Sequence, residues 1–399
     1  MTASDVRSNA VEVATVLQSA GFTAWFAGGC VRDELLGLQP RDYDIATDAT
    51  PAQVLEVFPR ARSVGQSFGV MLVHRKGLTV EVATFREEGR YSDHRRPDSV
   101  QFTDARRDAM RRDFTINGLF RDPLTAEVHD FVGGRADLDA GILRAIGDPT
   151  ARFEEDHLRM LRAMRFVACL GVRLDEKTEA AIAAHAGGLS GVSRERIGEE
   201  ILQLLQCPGR VEGIALLERL GLGEAVLGHA ASASTFARLG HAGGEPAALL
   251  AAWALDRGGE AVDHREVVNL WRRELLLSNE HRDGMQACLR THERLLDWDA
   301  MEVAARKRLA SSRWCAAALR MVEAVDTPRA AALRADIERL AATGLNPPRL
   351  LSGDALLADG MPTGPTFGEV LEQVYDAQLE GRVRTAEEAL HLARQLAAR

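Results

Sequence analysis

The stretch Trp25–Thr47, WFAGGCVRDELLGLQPRDYDIAT, decides the fold of the first part of the chain. An apolar run ends at Gly28 and Gly29, a helix-forming segment follows, and a second apolar run begins after Asp44. Short apolar runs separated by a turn and a helix predict an α+β or α/β region. Two glycines let the backbone approach a phosphate at a helix N-terminus, although such a pair is more often only a tight turn. Arg32, one turn into that helix, could reach the same anion.

Asp42 and Asp44 form an Asp-x-Asp pair. Side chains two residues apart in a strand point to the same face, about 7 Å apart, so both carboxylates can converge on one cation, and such oxygen donors suit Mg²⁺. A solvated turn is the alternative, but this pair follows the glycine turn at short range. Glu81, which alternates with apolar residues in Leu78–Arg86, is a candidate third carboxylate; its alternative is a solvent-facing position on a half-buried sheet.

A second charged stretch, Arg111–Gly118 (RRDFTING), places charges beside apolar residues. Arg112 and Asp113 precede Phe114 in a segment that should pack against the core, where charged groups need partners. The ribose and phosphates of a bound nucleotide would supply those partners. An internal Arg112–Asp113 salt bridge is the alternative.

The apolar spacing predicts one helix over Phe153–Phe166. Asp156 and Arg159, at positions i and i+3, would share a face of that helix. A carboxylate acceptor beside a guanidinium donor can pair with the edge of a base as a complementary base would. A solvated helix with internal salt bridges is the alternative, and the spacing leaves both open.

Composition limits the class of protein. The chain has 399 residues, 46% of them hydrophobic, which is too long for one ordinary domain. Its formal net charge of −9 argues against a nucleic-acid-binding surface. Arginines nevertheless cluster within residues 106–112 and 152–165, and guanidinium groups suit phosphates and base edges. From about Asp148 onward the apolar spacing becomes helical, which predicts a nearly all-helical remainder.

Cysteine spacing and hydropathy bear on where the protein works. The five cysteines are far apart, with no zinc-like spacing, so we expect reduced structural thiols. No apolar run is long enough to span a membrane, and the N-terminus lacks the layout of a signal peptide. We therefore expect a cytoplasmic protein with no membrane partner.

In this order and spacing, the motifs GGCVRD, RDYDIAT, VEVATFR, RRDFTING and EDHLRMLRAMRF resemble those of the class II tRNA nucleotidyltransferase and poly(A) polymerase family. The match is specific over about residues 25–170. It implies an α+β fold with a polymerase-β-like nucleotidyltransferase head, built on a mixed sheet, at residues 1–140. An all-helical neck with the base-recognition helix (141–206), a body (207–275) and a tail (276–399) would follow and hold the tRNA acceptor arm.

The resemblance also implies a role for each candidate residue. Asp42 and Asp44 would bind Mg²⁺, and Glu81 would be the third catalytic carboxylate. The residues expected to bind CTP or ATP are Gly28, Gly29, Arg32, Arg112, Asp113, Asp156, Arg159, Arg162 and Arg165. The last four would read the base without a nucleic-acid template. The implied reaction adds C and A nucleotides to the 3′ end of tRNA and releases pyrophosphate by a two-metal mechanism.

Two further segments favour CCA addition within this family. Glu87–Pro97 resembles the flexible loop that helps switch specificity from C to A, and Ser63–Val70 looks closer to the CCA-type form. A-only addition stays open, and poly(A) polymerase is the second candidate. A small-molecule nucleotidyltransferase and a non-catalytic RNA-binding protein are the alternatives from other classes. The chain could be a monomer or a homodimer, because no heptad pattern is strong enough to decide.

Overall fold

The structure is a computed structural model that describes residues 3–64, 69–89, 99–231, 235–259, 263–361 and 364–398. It divides into two compact units, residues 1–230 and 231–399. The predicted α+β fold with a mixed sheet is confirmed. The helical remainder is confirmed too, since β11 (Arg173–Leu174) is the single strand described beyond residue 148.

The described residues of the first unit form eleven α-helices and all of the described strands. Its helices are α1 (Ala3–Ser19), α2 (Gly29–Leu35), α3 (Pro51–Val57), α4 (Ala105–Met110), α5 (Gly134–Asp139), α6 (Pro149–Glu155), α7 (Leu158–Leu170), α8 (Glu176–His185), α9 (Arg194–Leu205), α10 (Arg210–Arg219) and α11 (Leu222–Leu227). The strands before β11 are β1 (Ala24–Ala27), β2 (Ile45–Thr47), β3 (Arg62–Ser63), β4 (Val70–Arg75), β5 (Leu78–Thr84), β6 (Arg86–Glu88), β7 (Val100–Phe102), β8 (Leu119–Arg121), β9 (Val128–Asp130) and β10 (Ile142–Leu143).

Seven strands form the main sheet in the order β3-β4-β5-β2-β1-β8-β9. β2 pairs antiparallel with β1 and parallel with β5. Because β1 and β2 are antiparallel, with Phe26 opposite Ile45, the end of β1 meets the start of β2. Both side chains are fully buried and fix this register. The glycines after β1 and the aspartates before β2 are thereby brought to one end of the sheet.

The single helix predicted over Phe153–Phe166 is wrong, because α6 ends at Glu155 and α7 begins at Leu158. Asp156 has an extended backbone (φ −148°, ψ 102°). Its Oδ1 accepts a hydrogen bond of 3.1 Å from the amide of Leu158. An aspartate that caps a nearby amide in this way competes with the helix. Asp156 and Arg159 therefore do not share one continuous helical face.

The expectation of five reduced cysteines is also wrong for one pair. Cys169, near the end of α7, and Cys207, just after α9, form a disulfide with their Cα atoms 4.7 Å apart. The amide of Gly209 donates to the carbonyl of Ala168 at 2.9 Å, so the turn after α9 lies directly against α7. Helix packing brings together two cysteines that are 38 residues apart, so their spacing in the sequence does not predict the disulfide. The cysteines that are free and buried are Cys30, Cys288 and Cys315.

The second unit is helical throughout its described residues. Its helices are α12 (Ala237–His241), α13 (Pro246–Gly258), α14 (His264–Glu274), α15 (Asn279–Leu296), α16 (Val303–Ala310), α17 (Cys315–Glu323), α18 (Thr327–Ala342), α19 (Gly353–Ala358), α20 (Pro365–Leu379) and α21 (Ala386–Ala397). Trp253 and Trp271 pack edge to face in its core, with ring centroids 4.7 Å apart. Across both units, the helices in the described ranges are all too short or too polar to span a membrane.

Parts of two segments singled out in the sequence lie outside the described residues. They are residues 65–68 of Ser63–Val70 and residues 90–97 of Glu87–Pro97.

Candidate active site

A cleft of about 650 Å³ opens in the first unit where the meeting ends of β1 and β2 face α7. The volume is in the range of small-molecule sites. The structure brings all of the candidate residues to this cleft. They are Gly28, Gly29, Arg32, Asp42, Asp44, Glu81, Arg112, Asp113, Asp156, Arg159, Arg162 and Arg165. Carboxylates and arginines together line this cleft.

Asp42, Asp44 and Glu81 form the acidic side of the cleft. The strand pattern predicted that the two aspartates lie within a strand. In the structure both come just before β2, which begins at Ile45. In the parallel pairing of β2 with β5, Ile45 lies opposite Val82. The same register places Asp44 level with Glu81. Sheet pairing therefore brings together carboxylates that are 37 residues apart in sequence.

The crowding of these carboxyl groups shifts their pKa values upward. Asp44 is open to solvent at the mouth of the cleft but has protein atoms on its other sides. Its pKa is raised to about 7, first because the cleft keeps water from the carboxylate and then because Glu81 and Asp42 are negative. The pKa of Glu81 is also raised, first by loss of hydration and then by the charge of Asp42. Because neighbouring carboxylates repel each other when both are ionised, a bound cation would stabilise their ionised forms.

The donor set fits a divalent cation such as Mg²⁺. Among the described residues, no group of three Asp, Glu, His or Cys side chains is arranged to hold a metal ion by itself. Mg²⁺ commonly binds one or two protein carboxylates and takes its other ligands from water and substrate phosphates. Asp42 and Asp44 together with a triphosphate meet that requirement.

The glycine turn lies beside Asp44, since the amide of Ala27 donates to the carbonyl of Asp44 at 3.0 Å. Gly28 follows β1 with φ 71° and ψ −124°, a region that favours glycine. A Cβ atom at Gly28 would lie 2.9 Å from Nη1 of Arg112 and would push this arginine out of place. Gly29 begins α2, so its amide lies at the start of that helix. The turn leaves the backbone bare where a phosphate can approach.

Arg32 lies at the base of the cleft and is 8% exposed. Its Nη1 donates to Oδ1 of Asn117 at 2.7 Å, and its Nε donates to Oδ1 of Asp33 at 2.8 Å. These two acceptors hold the guanidinium group toward the cleft. The group keeps its positive charge for an anionic ligand.

Arg112 pairs with Asp108 and not with Asp113, so the salt bridge considered from the sequence is wrong. Its Nε and Nη2 donate to Oδ2 of Asp108 at 3.2 and 3.0 Å. Asp108 is 2% exposed and also accepts from Nε of Arg111 at 2.8 Å and from the amide of Arg86 at 3.2 Å. Burial alone would raise the pKa of Asp108, but the charges of the two arginines lower it. One buried carboxylate thus holds both arginines at the cleft wall.

Asp113 pairs with Arg162, which α7 supplies. Its Oδ2 accepts from Nε and Nη2 of Arg162 at 3.0 and 2.8 Å. Its Oδ1 accepts from the amide of Phe114 and from Nδ2 of Asn117. Burial would raise the pKa of Asp113, but the charge of Arg162 and these hydrogen bonds lower it to about 2. Asp113 therefore joins the sheet region to α7 as a permanent anion.

Asp156 and Arg159 both line the cleft but are held by different partners. Oδ2 of Asp156 accepts from Nη2 of Arg196, on α9, at 2.7 Å. Nη1 of Arg159 donates to Oε2 of Glu155 at 2.6 Å. The alternative of an internal salt bridge is met by Arg159, which pairs with Glu155 four residues before it, whereas Asp156 pairs with a residue of α9. Both residues also line a cleft in which a base could lie.

Arg162 and Arg165 share a partner on α9. Oε2 of Glu200 accepts from Nε of Arg165 at 2.7 Å, and Oε1 lies 3.5 Å from Nη1 of Arg162. Glu200 is 7% exposed. Arg196 and Glu200, four residues apart on one helix, therefore both face α7.

Several residues in or behind the cleft wall were not predicted as site residues. Those that line the cleft are Arg86, Arg111, Asn117, Phe166 and Arg196, and those behind it are Asp108 and Glu200. All of the lining residues except Arg196 lie in motifs that carried the family resemblance, so their positions were visible without their contacts. Asp108 lies three and four residues before Arg111 and Arg112, the spacing of helical ion pairs, so its pairing had a sequence signal that was overlooked. Glu200 acts through a buried ion pair that only the packing of α9 on α7 creates, and its spacing carries no signal.

Comparisons with known proteins agree with this geometry. The chain is 34% identical over 388 residues to the CCA-adding enzyme of Anoxybacillus flavithermus, which covers 96% of this chain and 95% of that enzyme. The chain belongs to the CCA-adding enzyme family. The predicted family resemblance is confirmed. The Poly A polymerase head domain matches residues 24–144, and the probable RNA and SrmB-binding site of polymerase A matches residues 171–233.

Two further comparisons place the chain within this family of nucleotidyltransferases. Poly(A) polymerase I of Escherichia coli is 42% identical over 224 residues, which cover 53% of this chain and 48% of that polymerase. Other CCA-adding enzymes also align over about half of their length. The crystal structure of the Bacillus stearothermophilus CCA-adding enzyme in complex with CTP superposes with a TM-score of 0.78 at 30% identity. That superposition covers 97% of this chain and 96% of that enzyme.

Proposed function

We propose that this chain adds C and A nucleotides to the 3′ end of tRNA, from CTP and ATP, with release of pyrophosphate. The observation that carries the proposal is one cleft that is lined by the neighbouring carboxylates Asp42, Asp44 and Glu81 and by several arginines held in place by ion pairs. This is the charge pattern that in-line transfer of a nucleotide to an RNA hydroxyl needs. Relatives of matching length and architecture are CCA-adding enzymes.

In this proposal the acidic side carries the catalytic carboxylates. Asp42 and Asp44 hold Mg²⁺, and Glu81 keeps the local field negative beside them. Bound Mg²⁺ would lower the pKa of the attacking 3′-hydroxyl and would neutralise charge on the leaving pyrophosphate. By holding the cation where the RNA end and the α-phosphate have to meet, the carboxylates would position both reactants, so catalysis rests on positioning and charge stabilisation.

The triphosphate lies along the glycine turn in this proposal. Gly28 and Gly29 let the phosphates approach the backbone at the start of α2. Arg32 and Arg112 supply positive charge from either side. Asp113 binds no phosphate itself. Its ion pair with Arg162 fixes the wall of the cleft against which the sugar packs.

The base lies against α7 in this proposal. Asp156 supplies acceptor oxygens and Arg159 supplies donors, and each is oriented by an ion pair with a neighbouring residue. Arg162 and Arg165, tied to α9 through Glu200, close the same pocket. The protein itself then selects the base, so no template is needed.

Poly(A) polymerase activity is the second candidate function. The similarity to Poly(A) polymerase I of Escherichia coli over about half of the chain favours it. The relatives that align over nearly the whole chain are CCA-adding enzymes, which places CCA addition first.

The test uses purified protein, Mg²⁺ and three tRNA transcripts that end before CCA, after C and after CC. CTP and ATP are supplied separately and together, and products are resolved at single-nucleotide length. We expect CCA on the shortest transcript and loss of at least 100-fold in rate for Asp42→Ala, on the order of what removal of a transition-state electrostatic group costs. Asp139→Ala removes an exposed carboxylate on α5 that does not line the cleft, and it should act like the unaltered protein.

The other outcomes separate the alternatives. Extension of only the CC-ended transcript with ATP would identify an A-adding enzyme, and long A tails on unrelated RNA would identify a poly(A) polymerase. Transfer to a small alcohol but not to RNA would identify a small-molecule nucleotidyltransferase. RNA binding without nucleotide incorporation would overturn the enzymatic proposal.

Four expectations from the sequence stay predictions. They are contact with the tRNA acceptor arm, location in the cytoplasm, a monomeric or homodimeric state, and the division into head, neck, body and tail at residues 140, 206 and 275.

A further inference from the structure

One phenyl ring lies among three arginines of the cleft. Phe166, on α7, is 5% exposed. The guanidinium carbons of Arg165, Arg32 and Arg162 lie 4.5, 5.2 and 5.4 Å from its ring centroid. All three distances fall within the range of cation–π contacts. The ring of Phe114 meets Phe166 edge to face at 5.8 Å.

The three arginines belong to opposite ends of the proposed nucleotide site. Arg32 comes from α2 and belongs to the triphosphate end, whereas Arg162 and Arg165 come from α7 and belong to the base end. Each is also tied to its own acceptors elsewhere. Phe166 is thus a side chain that touches arginines of both ends.

Three like charges around one small volume repel each other, and each is drawn toward its own carboxylate. A flat ring with a negative face attracts all three guanidinium groups and also sets the minimum distance between them. Phe114, which is fully buried, packs edge to face against Phe166 and limits rotation of its ring. An aliphatic side chain of similar size would fill the space but would not attract the cations.

We propose that Phe166 is a positioning residue that couples the two ends of the site: it holds Arg32 for the triphosphate and Arg162 with Arg165 for the base. The inference rests on the proposed function for the identity of the nucleotide. It predicts that loss of the ring weakens phosphate binding and base selection together.

The test compares Phe166→Leu and Phe166→Met, which lose the ring, with Phe166→Tyr, which keeps it. Phe153→Leu is the matched control, because Phe153 is fully buried on α6 and is not among the residues that line the cleft. Calorimetry measures binding of inorganic tripolyphosphate and of CTP. Single-nucleotide addition measures kcat and KM for CTP and for UTP.

We expect both ring-less variants to bind tripolyphosphate and CTP roughly tenfold more weakly, as the loss of several cation–π contacts would produce. Their preference for CTP over UTP should fall by a similar factor, with kcat for CTP reduced much less. Phe166→Tyr should stay near the unaltered protein in all of these quantities. Phe153→Leu should lower the melting temperature and leave the binding constants unchanged.

Other results would overturn the inference. Loss of base selection with unchanged tripolyphosphate binding, or the reverse, would show that the ring serves one end only. Equal effects of Phe166→Leu and Phe153→Leu on the binding constants and on the preference for CTP would show that Phe166 acts only as a core residue. If one ring-less variant fails to fold, the other gives the same comparison. The binding measurements use no tRNA, so failure of tRNA extension by the unaltered protein would count against the proposed function and not against the coupling.

Discussion

Two aspartates of one cleft, Asp44 and Asp113, have pKa values shifted in opposite directions. Both lose hydration, which favours the neutral carboxyl. Asp44 faces other carboxylates and its pKa rises to about 7, whereas Asp113 faces Arg162 and two hydrogen-bond donors and its pKa falls to about 2. Among the described residues, the charge of Arg112 only partly offsets the rise at Asp44, so this carboxylate is suited to a further cation, while Asp113 has its cation within the fold. The first residue is suited to binding and the second to structure.

The raised pKa of Asp44 predicts pH-dependent metal binding. With a pKa of about 7, this carboxyl is mostly protonated at pH 6, so a cation must displace the proton there. We expect the affinity for Mg²⁺ to be about tenfold lower at pH 6 than at pH 8. Isothermal titration calorimetry at both pH values measures it, and Asp44→Asn should bind weakly with little dependence on pH. Equal affinities of the unaltered protein at both pH values would contradict the prediction.

The lowered pKa of Asp113 predicts a contribution to stability at neutral pH. The pKa of the folded state, about 2, lies below the unfolded value. The contribution is therefore fully present above the unfolded pKa of ~3.9 and is lost as the pH falls through the folded pKa. We expect Asp113→Asn to lower the free energy of unfolding at pH 7 by about 2 kcal/mol, with a smaller difference at pH 3. Urea unfolding measures both, and Asp139→Asn on the exposed face of α5 should have little effect.

At the scale of elements, short strands and close helix contacts position the site. The parallel pairing of β2 with β5 sets Glu81 beside Asp44, and α9 holds α7 through Glu200. α5 packs on the turn at residues 115–117, which carries the partner of Arg32, Asn117. Gly134, at the start of α5, is where the two backbones come closest, and a Cβ there would lie 2.1 Å from the carbonyl oxygen of Thr115. The path of the turn thus depends on the absence of a side chain.

Gly134→Ala should therefore be strongly destabilising. The added methyl group meets backbone and not a flexible side chain, so the turn or α5 has to move. We expect a loss of about 3 kcal/mol in the free energy of unfolding, within the range for overpacking, together with weaker CTP binding as Asn117 shifts. Gly187→Ala is the control, because a Cβ there has no atom within 4 Å. A small effect of Gly134→Ala in urea unfolding would show that the turn can yield.

At the scale of the whole molecule, the nucleotide site belongs to one of the two units. Every described residue that lines the cleft lies between Ala27 and Arg196, inside the unit of residues 1–230. The second unit has its own buried cores, one of them around Trp298 and Leu333. The proposed CTP site therefore includes no described residue of the second unit.

This division predicts distinct hydrogen-exchange patterns for the two ligands. CTP with Mg²⁺ should slow amide exchange in α2, α7 and the turn at residues 115–117, because ligand binding opposes local opening. Exchange in the described helices of residues 235–398 should stay unchanged with CTP and slow when a tRNA transcript is added. Mass-spectrometric exchange with Asp42→Ala and Asp44→Asn as binding-deficient controls tests this. Slowing in the second unit by CTP alone would contradict it.

Local chemistry in the sequence was enough to select the glycine turn and the aspartate pair and to predict a first region of α+β or α/β type, whereas Arg162, Arg165 and the choice of fold came from the family resemblance. Gly28, Gly29, Asp42 and Asp44 lie within one short stretch, where strand alternation and the backbone freedom of glycine act over a few residues. Their meeting at one end of the sheet follows from the antiparallel return of β2 beside β1. The helical remainder was predictable for the same reason, because helical periodicity is a short-range property.

Tertiary structure alone decided how the long-range charges pair. Asp113 binds Arg162, 49 residues away, and not its neighbour Arg112, whose own partner Asp108 is at the local i, i+4 spacing. The break of the predicted helix at Asp156 and the disulfide of Cys169 with Cys207 were equally hidden. A buried charge or sulfur takes the partner that packing brings within reach, and that partner depends on the positions of whole helices and strands. Sequence spacing reports which groups are available, and the free energy of packing determines which of them meet.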